Sequence, residues 1–382
     1  MKFLKPILFL SLIFAVSSCK KSNADNEEDI AFEKVKEEKI DYSGAADSAQ
    51  LALQTQFWSE SQHYYNQNNN GHVGFNYWWN AHALDVLIDG YNRTKDPKYL
   101  TQMTELVNGM KAKNGNTYWN TFYDDMEWMA LACLRAYDAT NDIFYKNLAI
   151  QLWNWIKVGW SDVNHGGIAW ASGSPNSKNA CSNAPAAIIA AKLYQLDKNP
   201  DDLAWAVKIY TWLKTYLVHP DLGLVWDGYG NKEPGMILTY NQGTYIGAAL
   251  ELYLITNDIA YMNDIRKNIN YILGDKVKYS PNGILRGENT GDGGLFKGIF
   301  IRYLTQVILR GNLGEATRNS LINYIKANTL SLMKNATYKP EGVFGHDWRT
   351  MPITKNTDSS VQLSGIILLE SANELNRLKL LE

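Results

Sequence analysis

The sequence predicts an all-α fold, an (α/α)6 barrel of six helical hairpins, and three observations carry that expectation. From Ala45 onward apolar residues recur at three- and four-residue spacing with no sustained period-two alternation, so helices are expected and strands are not. A short turn signal recurs as Thr94-Lys95-Asp96-Pro97-Lys98-Tyr99, Thr140-Asn141-Asp142-Ile143-Phe144-Tyr145 and Thr256-Asn257-Asp258-Ile259-Ala260-Tyr261, each with Asp three residues before Tyr. Leu196-Asp197-Lys198-Asn199-Pro200-Asp201 is a degenerate copy, and Gly311-Asn312-Leu313-Gly314 marks a further turn. These turns fall 46 to 59 residues apart, room for two helices and their loops, which is the period of a repeated helical hairpin. The other connections, at about 67–77, 113–121, 159–178, 218–238, 276–295 and 335–357, are long and carry most of the Gly and Asn.

At the N-terminus, Lys2 and Lys5 precede an apolar run from Ile7 to Val16, followed by Ser17, Ser18 and Cys19, the pattern of a secretory signal ending at a bacterial lipobox. The run is about half the roughly twenty residues a membrane-crossing helix needs, so residues 1–18 are expected to be cleaved and Cys19 to carry the lipid. Residues 19–42 are charged and poor in aromatics, a flexible tether, and 43–382 make the barrel domain. The expected location is extracytoplasmic, lipid-anchored to the outer membrane on its surface or periplasmic face.

In each short turn the Asp stands where it caps the next helix, and the Tyr where it packs back on the helix before. Each long loop leads into a helix start: Tyr77-Trp78-Trp79-Asn80, Tyr123-Asp124-Asp125, Asn179-Ala180-Cys181-Ser182-Asn183, Tyr240-Asn241-Gln242-Gly243, Phe296-Lys297-Gly298 and Asp358-Ser359-Ser360. Because short and long connections alternate, all six starts belong at one end of the array, forming one mouth. The small, apolar stretches 130–136, 184–191 and 243–250 suit an inner ring, and an open solenoid of the same hairpins is the alternative.

Composition narrows the function. Lys and Arg number 37 against 39 acidic residues, a net charge of -2, which excludes a basic surface for nucleic acid. The three cysteines build neither a disulfide framework nor a four-cysteine zinc site; Cys133 and Cys181 read as buried thiols, with a bridge open to them in an oxidising compartment. The six His lack paired ligand spacing and Asp292 lacks the ligand series of a calcium hand, so neither metal nor cofactor is expected. The 13 Trp and 23 Tyr exceed what a core needs and point to a ligand with an apolar face.

Asp124 and Asp125 open a helix among Trp78, Trp79, Tyr118, Trp119, Tyr123 and Trp128. Two acids at a helix start are ordinarily a cap and a charge that suits the dipole. Aromatic faces beside acids and amides are instead the composition of a sugar site, and glycosidic cleavage requires two carboxyl groups. Spacing alone leaves the stereochemistry open. The acid of the pair must hold a proton near neutral pH, and the negative charge of its neighbour is the expected cause.

Four ordered motifs, Tyr123-Asp124-Asp125-x-x-Trp128, Thr239-Tyr240-Asn241-Gln242-Gly243, Phe296 to Arg302, and Gly166-Gly167 with Lys178-Asn179, make the chain resemble family 76 glycoside hydrolases, the endo-α-1,6-mannanases, over about residues 45–377. The resemblance implies an (α/α)6 barrel and a retaining double displacement on an α-1,6-mannan backbone, with Asp124 the nucleophile and Asp125 the general acid and then the base. It also implies an α-1,6-mannan or manno-oligosaccharide as the substrate partner.

The candidate sugar-binding residues are Trp78, Trp79, His82, Tyr123, Trp128, Asn179, Asn183, Tyr240, Asn241, Gln242, Asp292, Phe296, Lys297 and Arg302. Several have a structural alternative: Asn241 and Gln242 as caps, Lys297 and Arg302 as ion-pair partners, His82 as a core histidine. Trp153, Trp155, Trp205 and Trp212 are expected to pack, Trp348 to line a distal subsite, and the chain to act as a monomer. A glycan-binding lipoprotein that cleaves nothing and an (α/α)6 hydrolase or lyase acting on another polysaccharide fit the composition equally; only the acid pair separates the first from an enzyme.

Overall fold

The structure, a computed structural model, describes residues 40–71, 74–233, 237–274 and 278–381. The signal segment 1–18, Cys19 and nearly all of the tether lie outside the described residues. Twelve α-helices follow one another among them: α1 (Tyr42–Phe57), α2 (Tyr77–Thr94), α3 (Pro97–Lys113), α4 (Tyr123–Thr140), α5 (Ile143–Lys157), α6 (Ala184–Asp197), α7 (Pro200–Leu217), α8 (Thr239–Thr256), α9 (Ile259–Gly274), α10 (Gly293–Arg310), α11 (Glu315–Asn335) and α12 (Ser359–Arg377).

The recurring turn has a physical cause at every position. Lys95, Asn141 and Asn257 end their helices in the left-handed region at φ 57°, 57° and 56°. The preceding Thr hydroxyl then receives the N–H of the Asp, at 3.1, 3.1 and 3.2 Å. The Asp carboxylate accepts from the N–H two residues on, at 2.9 Å in all three turns, and so caps the next helix. Tyr99 packs back onto α2 over Gly90, where an added Cβ would lie 2.5 Å from its ring.

The even-numbered helices form a closed inner ring in which each packs on the next and α12 returns to α2, and the odd-numbered helices pack outside them. That closure makes an (α/α)6 barrel and excludes the open solenoid. Five hairpins are joined by short turns, but the sixth pair is not a hairpin: α12 is covered by α1, from the other end of the chain, as well as by α11. Neighbouring inner helices approach closely at glycines. A Cβ on Gly243 would lie 2.7 Å from the Phe300 Cα, and one on Gly298 would lie 2.6 Å from the Ser364 Cα.

A second repeated device ties the long loops down. Amide side chains at the starts of the inner helices clamp the loop backbone on both its N–H and its C=O: Asn80, one turn into α2, clamps Tyr65 (2.8 and 3.0 Å), Asn183, just before α6, clamps Ile168 (2.8 and 3.0 Å), and Gln242, one turn into α8, clamps Val225 (2.8 and 2.8 Å). Gln362 accepts from Phe344 N–H in the same manner, at 3.1 Å. Strands were not expected, but the clamped loops include two minimal ladders, Trp58–Ser59 with Tyr64–Tyr65 and Thr337–Tyr338 with Val343–Phe344. Each strand is two residues long, too short for an alternation to register in the sequence.

Toward the opposite end of the barrel Arg135 and Arg302 meet Asp85 and Asp89. Arg302 pairs with both carboxylates at 2.7 Å, and Arg135 bonds both as well. Arg302 was a candidate for the sugar site, and the structure corrects that: two and a half turns below the start of α10, it faces inward and balances buried charge.

Candidate active site

The starts of α2, α4, α8 and α10, with a single 3-10 turn over Ala180–Ser182, surround a cavity of about 570 Å³ at the mouth of the barrel. Asp124, Asp125 and Trp128 line it from α4, Trp78 from α2, Tyr240 from α8 and Phe296 with Asp292 from α10. Of the six starts expected there, five line it, the Asn179–Asn183 start through Asn179 and Cys181, and that of α12 takes no part. Asn183, at the start of α6, is consumed by its clamp on Ile168. At the start of α12, Asp358 and Ser360 instead hold Gly291, through its N–H (2.8 Å) and its C=O (2.6 Å), and so fasten the loop that carries Asp292.

Aromatic rings make the floor. Tyr240 stacks on Phe296 with centroids 4.1 Å apart and planes within 10°, Trp78 lies 6.4 Å from Phe296, and Trp128 closes the middle at 6.3 Å from Trp78. At the rim Phe122 and Trp170 pair at 4.7 Å and leave 36% and 39% of their surface exposed, which is open area for a ring-shaped ligand.

The two carboxylates sit in different surroundings. Asp124 Oδ2 accepts from the Trp170 indole at 3.1 Å. Burial pushes Asp124 up to about 6, and hydrogen bonds from the Cys181 thiol, the Trp170 indole and nearby backbone N–H groups pull the other way, toward the ionised form. Asp125 Oδ2 accepts from Asn120 at 3.0 Å. Its carboxyl is pushed well above the ordinary range by burial first, then by the charge of Asp124 and then by that of Asp292. The neighbour's charge expected as the main cause is therefore the second, behind burial. One turn below, Glu127 is fully buried, and burial first and then the charge of Asp124 push its carboxyl well above the ordinary range.

Several candidates have other duties. Gln242 is occupied by Val225 and by Asn268, at 2.9 Å, so it holds a loop and binds no ligand. Lys297 is buried, reaches the His346 carbonyl and stands 4.1 Å over the Trp348 ring. Trp348, expected at a distal subsite, is fully buried in the core and lines no groove. His82 lies beneath the floor, 4.8 Å from Trp128 and facing a lower cavity, and burial lowers it to about 3, so it stays neutral and outside the groove. Trp79 and Tyr123 are buried behind the lining: Trp79 donates to Asp292 at 3.0 Å, and the Tyr123 N–H donates to the Trp170 carbonyl at 2.9 Å. Asn241 reaches the cavity only through Asp227, to which it donates at 2.9 Å, while Asn179 lines the wall directly.

Sequence reasoning missed Asn120, Trp170, Cys181 and Asp227, all of which line the cavity. Cys181 and Cys133 are both buried free thiols. Asp227 carried a readable signal, a lone acid between Trp226 and Gly228 in a long loop, and Asn120 lay five residues before Asp125. Trp170 did not, because it reaches Asp124 only when the 159–178 loop folds back; Lys178, itself buried, holds that loop through Ser161 at 2.9 Å. Gly167 lets the loop turn at φ 86°, where a Cβ would strike the Trp212 ring at 2.8 Å.

The sequence profile of glycosyl hydrolase family 76 matches residues 42–376. Among solved structures the chain is similar to the GH76A alpha-1,6-mannanase from Salegentibacter sp. HEL1_6, with 45% identity and a TM-score of 0.84 over 88% of this chain and 100% of that one. An inactive variant of that mannanase, with two consecutive aspartates replaced by asparagine, was solved in complex with alpha-1,6-mannotriose. The Lin0763 protein from Listeria innocua is 34% identical, with a TM-score of 0.81 over 89% of this chain and 99% of that one. The mannan endo-1,6-alpha-mannosidase DCW1 of Saccharomyces cerevisiae is 24% identical over 59% of this chain, and the match spans 54% of the yeast protein, about half its length. With the profile running through nearly every described helix and the barrel closed around the acid pair, the chain belongs to glycosyl hydrolase family 76.

Proposed function

We propose that the chain is a retaining, endo-acting α-1,6-mannanase in which Asp124 is the nucleophile and Asp125 the general acid and base. One observation carries the reading: two consecutive carboxyl groups share an aromatic-floored cavity, one with donors that favour its charge and the other with neighbours that keep its proton on. In the first step the Asp125 proton passes to the glycosidic oxygen as its bond to C1 breaks, and an Asp124 oxygen bonds C1 to give an ester. In the second, ionised Asp125 takes a proton from water, whose oxygen attacks C1 and releases Asp124. Two inversions leave the anomeric configuration unchanged. The similarity to the Salegentibacter mannanase supports the α-1,6-mannan substrate.

Unbranched α-1,6-mannan should release short manno-oligosaccharides whose first-formed reducing ends are α, followed by NMR. Either Asp124→Asn or Asp125→Asn should cut kcat by at least about a thousandfold. Initial β product would exclude retention, full activity in both variants would refute the acid pair as the catalytic groups, and affinity for the mannan without turnover would leave a glycan-binding protein in place of an enzyme. We further propose that the chain is extracytoplasmic and anchored to a membrane through lipid on Cys19, and that it acts as a monomer; the signal pattern at 1–19 supports the anchor. Cys19→Ala should move the protein from the membrane fraction to the soluble one, and unchanged partitioning would refute the anchor.

A further inference from the structure

The walls flanking the acid pair differ. On the side of Asp124 stand Trp170, bonded to it, and a joined pair of loops: Asn179 pairs with Gly228, and the Ala180 N–H donates to the Asp227 carbonyl at 2.8 Å. On the side of Asp125 stands Asn120, bonded to it, in a loop fastened to the start of α2 by the Tyr77 hydroxyl, which donates to the Tyr118 carbonyl at 2.8 Å. Asp292 faces this second wall. A single oxygen of it, Oδ1, receives both the Trp78 and the Trp79 indole N–H groups, at 3.2 and 3.0 Å. Its side chain makes no cap bond to α10, although it stands at the N-cap position, and among the described residues nothing bonds its Oδ2. A carboxylate spared from capping, fixed by two donors on one oxygen and exposed in a cavity, is a preset acceptor for hydroxyl groups.

We propose that Asp292, braced by Trp78 and Trp79, binds hydroxyls of the departing sugar, so that the leaving-group half of the groove runs along the start of α2 and the 114–120 loop. This rests on the reading of Asp125 as the acid. The oxygen that receives its proton must lie against Asp125, and the sugar carrying that oxygen must therefore occupy the wall nearest to it. The sugar under attack then lies against Asn179 and Asp227.

The test compares α-1,6-mannotetraose with a dinitrophenyl glycoside of α-1,6-mannobiose. The aryl substrate has a leaving group that departs with little protonation and places no sugar on the Asp125 side. Each enzyme is assayed at its own pH optimum, so that a change in the protonation of Asp125 does not enter. In Asp292→Ala the ratio of kcat/KM on mannotetraose to that on the aryl glycoside should fall at least about tenfold, what one charge-assisted hydrogen bond is worth. In Asp227→Ala, which holds the sugar common to both substrates, the ratio should stay within about threefold. Should Asp292→Ala not fold, Asp292→Asn keeps an oxygen for the indoles and should lower the ratio in the same direction. An unchanged ratio in the folded Asp292 variants, or a fall confined to Asp227→Ala, overturns the assignment. Failure of the unaltered enzyme to cleave either substrate would instead bring down the mannanase reading on which it rests.

Discussion

Asp124 and Asp125 occupy consecutive positions, and it is their neighbours that sort them into two roles. Asp124 must be ionised to attack, so activity is lost as pH falls through about 6. Asp125 must be protonated, so activity is lost as pH rises through its raised value, and the profile is a bell. Trp170→Phe removes the indole donor that favours ionised Asp124, so that carboxyl rises and the acid limb of kcat/KM should move to higher pH, by on the order of one unit. Asp292→Asn removes one of the two negative charges that disfavour ionising Asp125, so the alkaline limb should move to lower pH. A profile unmoved by both changes would mean that burial alone sets the two values.

At the scale of single elements, the turns and the glycine contacts make different demands. Asp142 caps α5 at an exposed turn remote from the mouth, so Asp142→Ala should cost about 1 kcal/mol in urea denaturation and leave mannan cleavage unchanged. Gly298→Ala puts a methyl group against the backbone of α12 and should cost about 1–3 kcal/mol, because neither helix axis can yield without repacking the ring. That variant should also lose activity. Gly298 lies two residues from Phe296 and within two turns of Asp292, so a shift of α10 displaces two lining residues at once. Equal effects of both substitutions on activity would argue against α10 as the element that positions this wall.

Across the whole molecule the barrel is closed by contacts distant in sequence. Arg302 of α10 and Arg135 of α4 share Asp85 and Asp89 of α2, which ties three inner helices together beneath the floor. Burial alone would raise Asp89, but the charges and hydrogen bonds of the two arginines outweigh it and hold the carboxyl below its ordinary value. A carboxyl lowered by folding stabilises the protein above its unfolded value, and that contribution is lost only as pH falls through the folded one. Arg302→Ala leaves two carboxylates with one partner and should cost roughly 3–5 kcal/mol at neutral pH, read as a drop in the urea midpoint. A change under about 1 kcal/mol would show that water had replaced the guanidinium.

What the sequence determined by itself was whatever depends on a few adjacent residues. The Thr-x-Asp turns, the helix period, the alternation of short and long connections and the acid pair at a helix start are all local, and local spacing suffices to read them. Which polar side chains face the sugar was decided only by tertiary structure. Gln242, Asn183, Lys297 and Arg302 look like ligand-binding residues in a linear reading, yet each is claimed by a loop or a charge brought to it from elsewhere in the chain. Trp170 and Cys181 reach Asp124, and α1 reaches α12, for the same reason in reverse: closing a ring brings together residues that no periodicity links, and a buried polar group takes whichever partner that closure supplies.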